Sequence, residues 1–223
     1  MSLMIHTIIP QGIVVSADTR TTINNNGSVR YDDSAEKIIP FPNNIVVSHC
    51  GDSIVIGKLT VSQFLYNLRK LYGEKSTITE LPLKILNEYK KYGGKGNTTF
   101  LVSGYTKDMY IYTYRIETLN STINLTFSPN IWGATYGGIT NIANSIMSNI
   151  DYSNLSIKDA IILTKTCINT NITIFNYHKE QSICGTCETY VIDIVHDEIG
   201  WLQTDGTIIP DKNISDFKPL SGI

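Results

Sequence analysis

The chain has 223 residues, a formal net charge of −2, 42% hydrophobic and 17% charged residues. That length supports one domain, residues 1–223, with a sizeable core, and so even a charge balance gives no electrostatic reason to expect nucleic acid or an anionic membrane as partner. No apolar run approaches the roughly 18 residues of a membrane helix, and no basic segment leads into an apolar one as in a secretory signal, so a cytoplasmic location is expected.

The chain opens on two β-rich runs, residues 3–9 and 13–17, separated by the turn signal Pro10-Gln11-Gly12. If Ile9 pairs with Gly12, antiparallel pairing sets Leu3 opposite Asp18 and Ser2 beside Thr19. A slip of one residue would turn Asp18 to the other face. A second hairpin turns at Pro42-Asn43-Asn44, which brings Lys37 near Val46 and Val47 and leaves Gly51 at the far strand end. Behind Gly51 an apolar pattern with Val61, Phe64, Leu65, Leu68 and Leu71 at helical spacing predicts a helix over 53–72, capped by Asp52 or Ser53. A second helix is predicted over 77–92, with Pro82 tolerated in its first turns and Gly93-Gly94 stopping it.

Strands follow at 99–105, 109–116 and 121–127, the second carrying alternating Tyr110, Tyr112 and Tyr114, read as a sheet face or an interface. Residues 132–138 read as a glycine-rich corner opening a third helix with Ile139, Ile142, Ala143, Ile146 and Met147. A fourth helix begins at Ser156, with Asp159 in a capping-box position. Strands at 190–195 and 199–202 precede a polar tail. With two helix pairs and two groups of strands, the expectation is an α+β fold of two packed sheets with helix layers outside.

The first fifty residues carry the chemistry. Their hairpins gather a hydroxyl (Ser2), a carboxylate (Asp18), an ammonium (Lys37) and a backbone N–H at Gly51. Those are the parts of an amide-hydrolysing site whose nucleophile is the chain's own first residue, and an N–H at a strand-to-helix corner suits a developing oxyanion. Blander readings stand beside these: Asp18 could cap a turn, Arg20 could be a structural partner near Asp18, and a lone His49 is as readily a core residue as a pocket-lining one. Cys184-Gly185-Thr186-Cys187 is the rival motif, a redox pair or half a zinc site. It precedes a strand rather than a helix, and His178 and His196 stand at unhelpful spacing for zinc. Together with Cys50 and Cys167, these cysteines are expected as free thiols. Gly93-Gly94-Lys95-Gly96 lacks the spacing and the Ser/Thr of a phosphate-binding loop.

Gly12-Ile13-Val14-Val15-Ser16-Ala17-Asp18-Thr19-Arg20 resembles the signature of proteasome β-type subunits and their bacterial Ntn-hydrolase relatives, and Glu36-Lys37-Ile38 resembles that family's catalytic-lysine strand. The Gly133 corner and Cys184-Gly185-Thr186 resemble two later segments of the family. The resemblance implies a four-layer αββα sandwich. It also implies Ser2 as nucleophile once Met1 is removed, Asp18 orienting Lys37, Lys37 lowering the pKa of the Ser2 amine or hydroxyl, and Gly51 as oxyanion donor. Thr19, Arg20 and His49 fall to substrate binding, with His49 lining the pocket for the residue before the scissile bond. Serine stands in place of the family's threonine, Ala134 in place of a supporting serine, and Gln181 or Glu180 in place of a supporting aspartate.

The expected activity is hydrolysis of peptide amide bonds in peptides or unfolded proteins, with no metal or organic cofactor, by a homo-oligomer that could be a ring. A non-catalytic assembly or binding subunit and a small-molecule amidase are the alternatives.

Overall fold

The computed structural model describes residues 2–25, 28–177, 183 and 185–210. Residues 3–9 and 12–18 form β1 (Leu3–Ile9) and β2 (Gly12–Asp18), paired antiparallel from Ile9–Gly12 to Met4–Ala17. This is the register expected from the Pro10-Gln11-Gly12 turn. After them come β3 (Thr21–Asn25) and β4 (Ser28–Asp32), then β5 (Ile38–Phe41) and β6 (Ile45–Gly51). Next are β7 (Ile54–Ile56), β8 (Leu59–Thr60), α1 (Val61–Tyr72) and α2 (Leu81–Lys91). The second half holds β9 (Thr98–Tyr105), β10 (Ile111–Glu117), β11 (Thr122–Phe127), β12 (Gly133–Gly138), α3 (Asn141–Met147) and α4 (Ile157–Tyr177). β13 (Cys187–Asp193), β14 (Glu198–Leu202) and β15 (Ile208–Pro210) close the described chain.

The architecture is mixed α/β with antiparallel sheets. One sheet runs β12-β1-β2-β13-β14-β15, the other β11-β10-β9-β6-β5, and β3-β4 and β7-β8 are separate two-stranded ribbons. Strand alternation explains how both faces of the central strands are filled. On β1, Met4 and Ile8 join Val15, Val46 and Leu101 in an apolar cluster between the two sheets. Leu3, Ile5 and Ile9 face the other way, into a cluster with Ala143, Met147, Ala160 and Ile168 of α3 and α4. On the second sheet, Ile45, Val47, Phe100 and Val102 pack with Phe64, Leu65, Leu68, Ile85 and Tyr89 of α1 and α2.

Several expectations need correction. The helix predicted over 53–72 begins only at Val61: Thr60 Oγ1 accepts the Gln63 N–H and Gln63 Oε1 accepts the Thr60 N–H, a complete capping box. The residues before it form the β7-β8 ribbon. The glycine corner at 132–138 is a strand, β12, whose glycines lie against β1: a Cβ on Gly137 would stand 2.5 Å from Met4 Cε. β15 falls in what read as a polar tail, and β3-β4 was not foreseen. Tyr112 and Tyr114 stack with centroids 6.4 Å apart and pack against the α1–α2 cluster, whereas Tyr110 is exposed ahead of β10. The cap of α4 is as expected, with Ser156 and Asp159 exchanging hydrogen bonds. Among the described residues no helix is long and apolar enough to cross a membrane.

Candidate active site

The register of β1 and β2 brings the start of the chain to the end of β2. Asp18 is fully buried there, and its Oδ1 accepts the Leu3 N–H at 2.8 Å and holds Lys37 Nζ at 2.9 Å. Lys37 also donates to the Arg20 carbonyl. One carboxylate thus ties the residue after Ser2 to the ammonium. Burial pushes the Asp18 carboxyl up and the Lys37 ammonium down, and the attraction between them opposes both shifts.

Lys37 does not stand beside Val46 and Val47. β5 pairs Ile38 with Ser48, and the His49 N–H donates to the Lys37 carbonyl at 3.1 Å. The turn lies where expected, at Pro42-Asn43-Asn44 with Asn43 and Asn44 at positive φ (60° and 59°), but Phe41 and Ile45 close it, so counting outward along both strands puts Lys37 level with His49 rather than with Val46 or Val47. The shift sets Lys37 next to His49 and hence near Gly51.

A cavity of about 200 Å³ opens here, and Ser2, Lys37, His49 and Gly51 all line it, with Thr22 and Ser53 among the other walls. Ser2 is itself buried, and its carbonyl accepts the Ile139 N–H at 3.0 Å. Gly138, at φ +98°, lets β12 come this close: a Cβ there would meet Ser2 O at 1.7 Å. Ala134 lies opposite Thr7, well up the strand from Ser2, so the serine expected at its position would not have reached Ser2.

Gly51 ends β6 and is followed by β7, so no helix terminus stands behind it, contrary to the strand-to-helix corner expected. Its conformation still suits a donor. Gly51 has φ +101°, and the next residue, Asp52, bonds its N–H to Asn97 O at 3.1 Å. Antiparallel alternation then turns the Gly51 N–H away from β9.

The sequence-predicted substrate contacts divide. His49 lines the cavity. Its Nε2 lies 3.2 Å from both Glu36 O and Ser62 Oγ, and burial holds its pKa down to about 4, leaving the ring neutral. Thr19 and Arg20 turn elsewhere. Thr19 Oγ1 accepts the Thr186 N–H at 2.9 Å, and the Arg20 guanidinium bonds Asp33 (Nη2 to Oδ2, 2.6 Å) and lies 5.1 Å from the Tyr31 ring centroid. Asp33, not Asp18, is the acid paired with the Arg20 side chain.

Sequence reading missed Thr22, Ser53, Cys50 and Glu188. Thr22 and Ser53 belong to or adjoin ribbons with no apolar alternation to announce them. Cys50 lines the cavity, but burial pushes its thiol up to about 11, so it is a poor thiolate source. Glu188, on β13, pairs with Ala17 of β2; burial and Glu36 raise its pKa while Lys37 lowers it, so Lys37 feels a second carboxylate. Gln181, Glu180, His178 and Cys184 lie outside the described residues, so the acid proposed for the late segment and the Cys184–Cys187 motif have no structural account. Cys50, Cys167 and Cys187 are free thiols.

No protein-family model and no curated protein matches the sequence. Solved structures do. Anbu from Hyphomicrobium sp. strain MC1 is similar at TM-score 0.66 and 13% identity, covering 91% of this chain and 88% of that one. Its Gly-1 mutant gives 0.64 and 14%, covering 92% and 88%, and Anbu from Yersinia bercovieri, described as an ancestral beta-subunit, gives 0.63 and 12%, covering 86% and 81%. These figures correct the family assignment drawn from residues 2–51: with neighbours at 12–14% identity and no family model matched, membership of the proteasome β-type family does not stand, and what is shared with Anbu is the fold.

Proposed function

We propose that the chain is an N-terminal-nucleophile amidohydrolase acting on peptide bonds, with Ser2 as nucleophile. The observation that carries this reading is the double use of Asp18 Oδ1, which holds the Leu3 N–H at 2.8 Å and Lys37 Nζ at 2.9 Å while Ser2, Lys37 and Gly51 line one cavity. Met1 is removed, freeing the Ser2 amine. Ser2 Oγ attacks the carbonyl carbon, its proton passes to the α-amine and then to the leaving nitrogen, and water cleaves the resulting ester. Lys37, a buried cation, lowers the pKa of the Ser2 amine or hydroxyl. Gly51 N–H donates to the oxyanion, and His49 flanks the group preceding the scissile bond. The chain works as one unit over residues 1–223, built as a four-layer αββα sandwich, in the cytoplasm. Self-association into a homo-oligomer belongs to the same reading, supported by the beta-subunit description of one structural neighbour.

A cavity of about 200 Å³ also suits a small amide in its entirety, which favours a small-molecule amidase as the second reading. A panel of fluorogenic peptides set against small amides separates the two. The central test is a peptide epoxyketone or boronate followed by mapping of the modified residue, with intact-mass measurement of the untreated protein. The expected result is loss of Met1, an adduct on Ser2, and turnover abolished (at least about 10³-fold down) by Ser2→Ala. Retained Met1 with no adduct overturns the reading.

A further inference from the structure

The Lys37 ammonium is buried, and it donates both to Asp18 Oδ1 at 2.9 Å and to the Arg20 carbonyl. The two acceptors are held by different means. Asp18 ends β2, where the sheet ladder and the Leu3 N–H fix it. Arg20 lies between β2 and β3, outside either strand, so no ladder orients its carbonyl. Its side chain is anchored instead. The guanidinium meets Asp33 with two parallel bonds, Nε to Oδ1 and Nη2 to Oδ2 (the latter 2.6 Å), and only 14% of the Arg20 side chain is exposed. A planar fork gripping a carboxylate in this way fixes direction as well as distance. Asp33 in turn stands four residues before Lys37, in the link from β4 to β5. There the Ala35 N–H donates to the Thr19 carbonyl at 3.0 Å, which ties the same two stretches together. Gly185, at φ +80°, covers the pair closely: a Cβ on it would stand 3.4 Å from Arg20 N and 3.5 Å from Asp33 Cβ.

For stability this ion pair counts for little. Asp33 has 50% of its side chain exposed, and solvent screens such a pair. What it supplies is geometry. We propose that Asp33 is a positioning residue for Lys37: through the Arg20 guanidinium it holds the Arg20 carbonyl against the Nζ ammonium. The effect on turnover rests on the hydrolase reading above, whereas the placement of the ammonium does not. The guanidinium beside Asp33 holds its carboxyl below the usual carboxylate range, so the fork is closed at neutral pH. The other titratable groups facing Lys37 are Asp18 from β2, His49 and Cys50 from β6, and Glu188 from β13. A substitution at Asp33 leaves all four in place.

The test follows the titration of the Lys37 ¹³Cε by NMR in the full chain and in two variants, Asp33→Asn and Arg20→Gln. Loss of the carbonyl removes an acceptor of the charged form, so Lys37 should titrate lower in both. Through-space charge alone predicts opposite signs, because one variant removes an anion and the other a cation. Opposite shifts, or none, overturn the inference. Turnover of fluorogenic peptides is the second readout. Asp33→Asn is expected to lower kcat about 10- to 100-fold at unchanged KM, and Asp33→Glu, which keeps an ionised partner for the fork, to recover most of it. If Ser2 takes up the covalent probe but Asp33→Asn turns over peptides at the wild-type rate, the positioning role fails alone. If no probe labels Ser2 and nothing is turned over, yet both variants lower the Lys37 titration, the hydrolase reading fails and the assignment of Asp33 survives.

Discussion

Asp18 and Lys37 are buried together, with 0% and 3% of their side chains exposed, so what the pair does for stability can be measured apart from the role proposed for it in hydrolysis. Removing one partner strands a charge in a low-dielectric site, which costs about 3–5 kcal/mol, whereas replacing both by apolar residues of similar volume is often neutral or stabilising. Asp18→Ala and Lys37→Ala should therefore each lower the urea midpoint steeply. Asp18→Leu combined with Lys37→Met should restore most of the lost stability while leaving peptide turnover at background. A double variant that stays as unstable as either single one would show that the pair does more for folding than neutralise itself. Leu3 adds to the coupling, because its N–H has the same carboxylate oxygen as acceptor and loses it in every Asp18 variant.

The elements were legible where a pattern and a punctuation mark agreed, and not where one stood alone. The first hairpin had both: two β-rich runs and a Pro-Gln-Gly turn gave its register to the residue. At α1 the apolar spacing from Val61 onward was genuine, but the choice of Asp52 or Ser53 as cap ignored Thr60 and Gln63, which stand three apart as a capping box requires and which the structure uses. Thr60→Ala should destabilise the protein by about 1 kcal/mol, read as a lower urea midpoint with an unchanged slope. A change within error would mean that packing of Val61 and Phe64 alone fixes the helix start. The segment at 132–138 misled for a different reason. Glycines there serve close approach of β12 to Met4 and to the Ser2 carbonyl, and from sequence alone such a glycine is indistinguishable from one that turns a corner.

Across the whole molecule, the contact between the two sheets holds a polar thread that no single strand reveals. His6 on β1 crosses to the second sheet, with Nδ1 2.7 Å from Ser103 Oγ and Nε2 2.7 Å from Ser48 Oγ, and Ser103 continues to Thr113 at 2.9 Å. Burial holds His6 down to about 3 and His49 to about 4. Both stay neutral in the folded protein but titrate near 6.5 when unfolded. The unfolded chain thus binds protons that the folded chain refuses. Stability is complete above about pH 6.5 and declines as pH falls toward 4, by up to about 1.4 kcal/mol per pH unit for each imidazole. Urea midpoints at pH 7.5, 5.5 and 4.5 measure this, and His6→Gln should flatten the slope. An unchanged slope would assign the acid sensitivity to His49 and to carboxylates instead.

Local pattern was enough to determine a strand-rich chain with two helix pairs, the first hairpin's register, and a hydroxyl, carboxylate and ammonium in its first forty residues, because alternation and turn chemistry act between neighbours in sequence. Tertiary structure alone decided that Arg20 spends its guanidinium on Asp33 and Thr19 its hydroxyl on the Thr186 N–H, and that Thr22 and Ser53 wall the cavity. Those outcomes depend on how two sheets and two small ribbons stack, and stacking is set by the packing of many side chains at once, which no local stretch of sequence encodes.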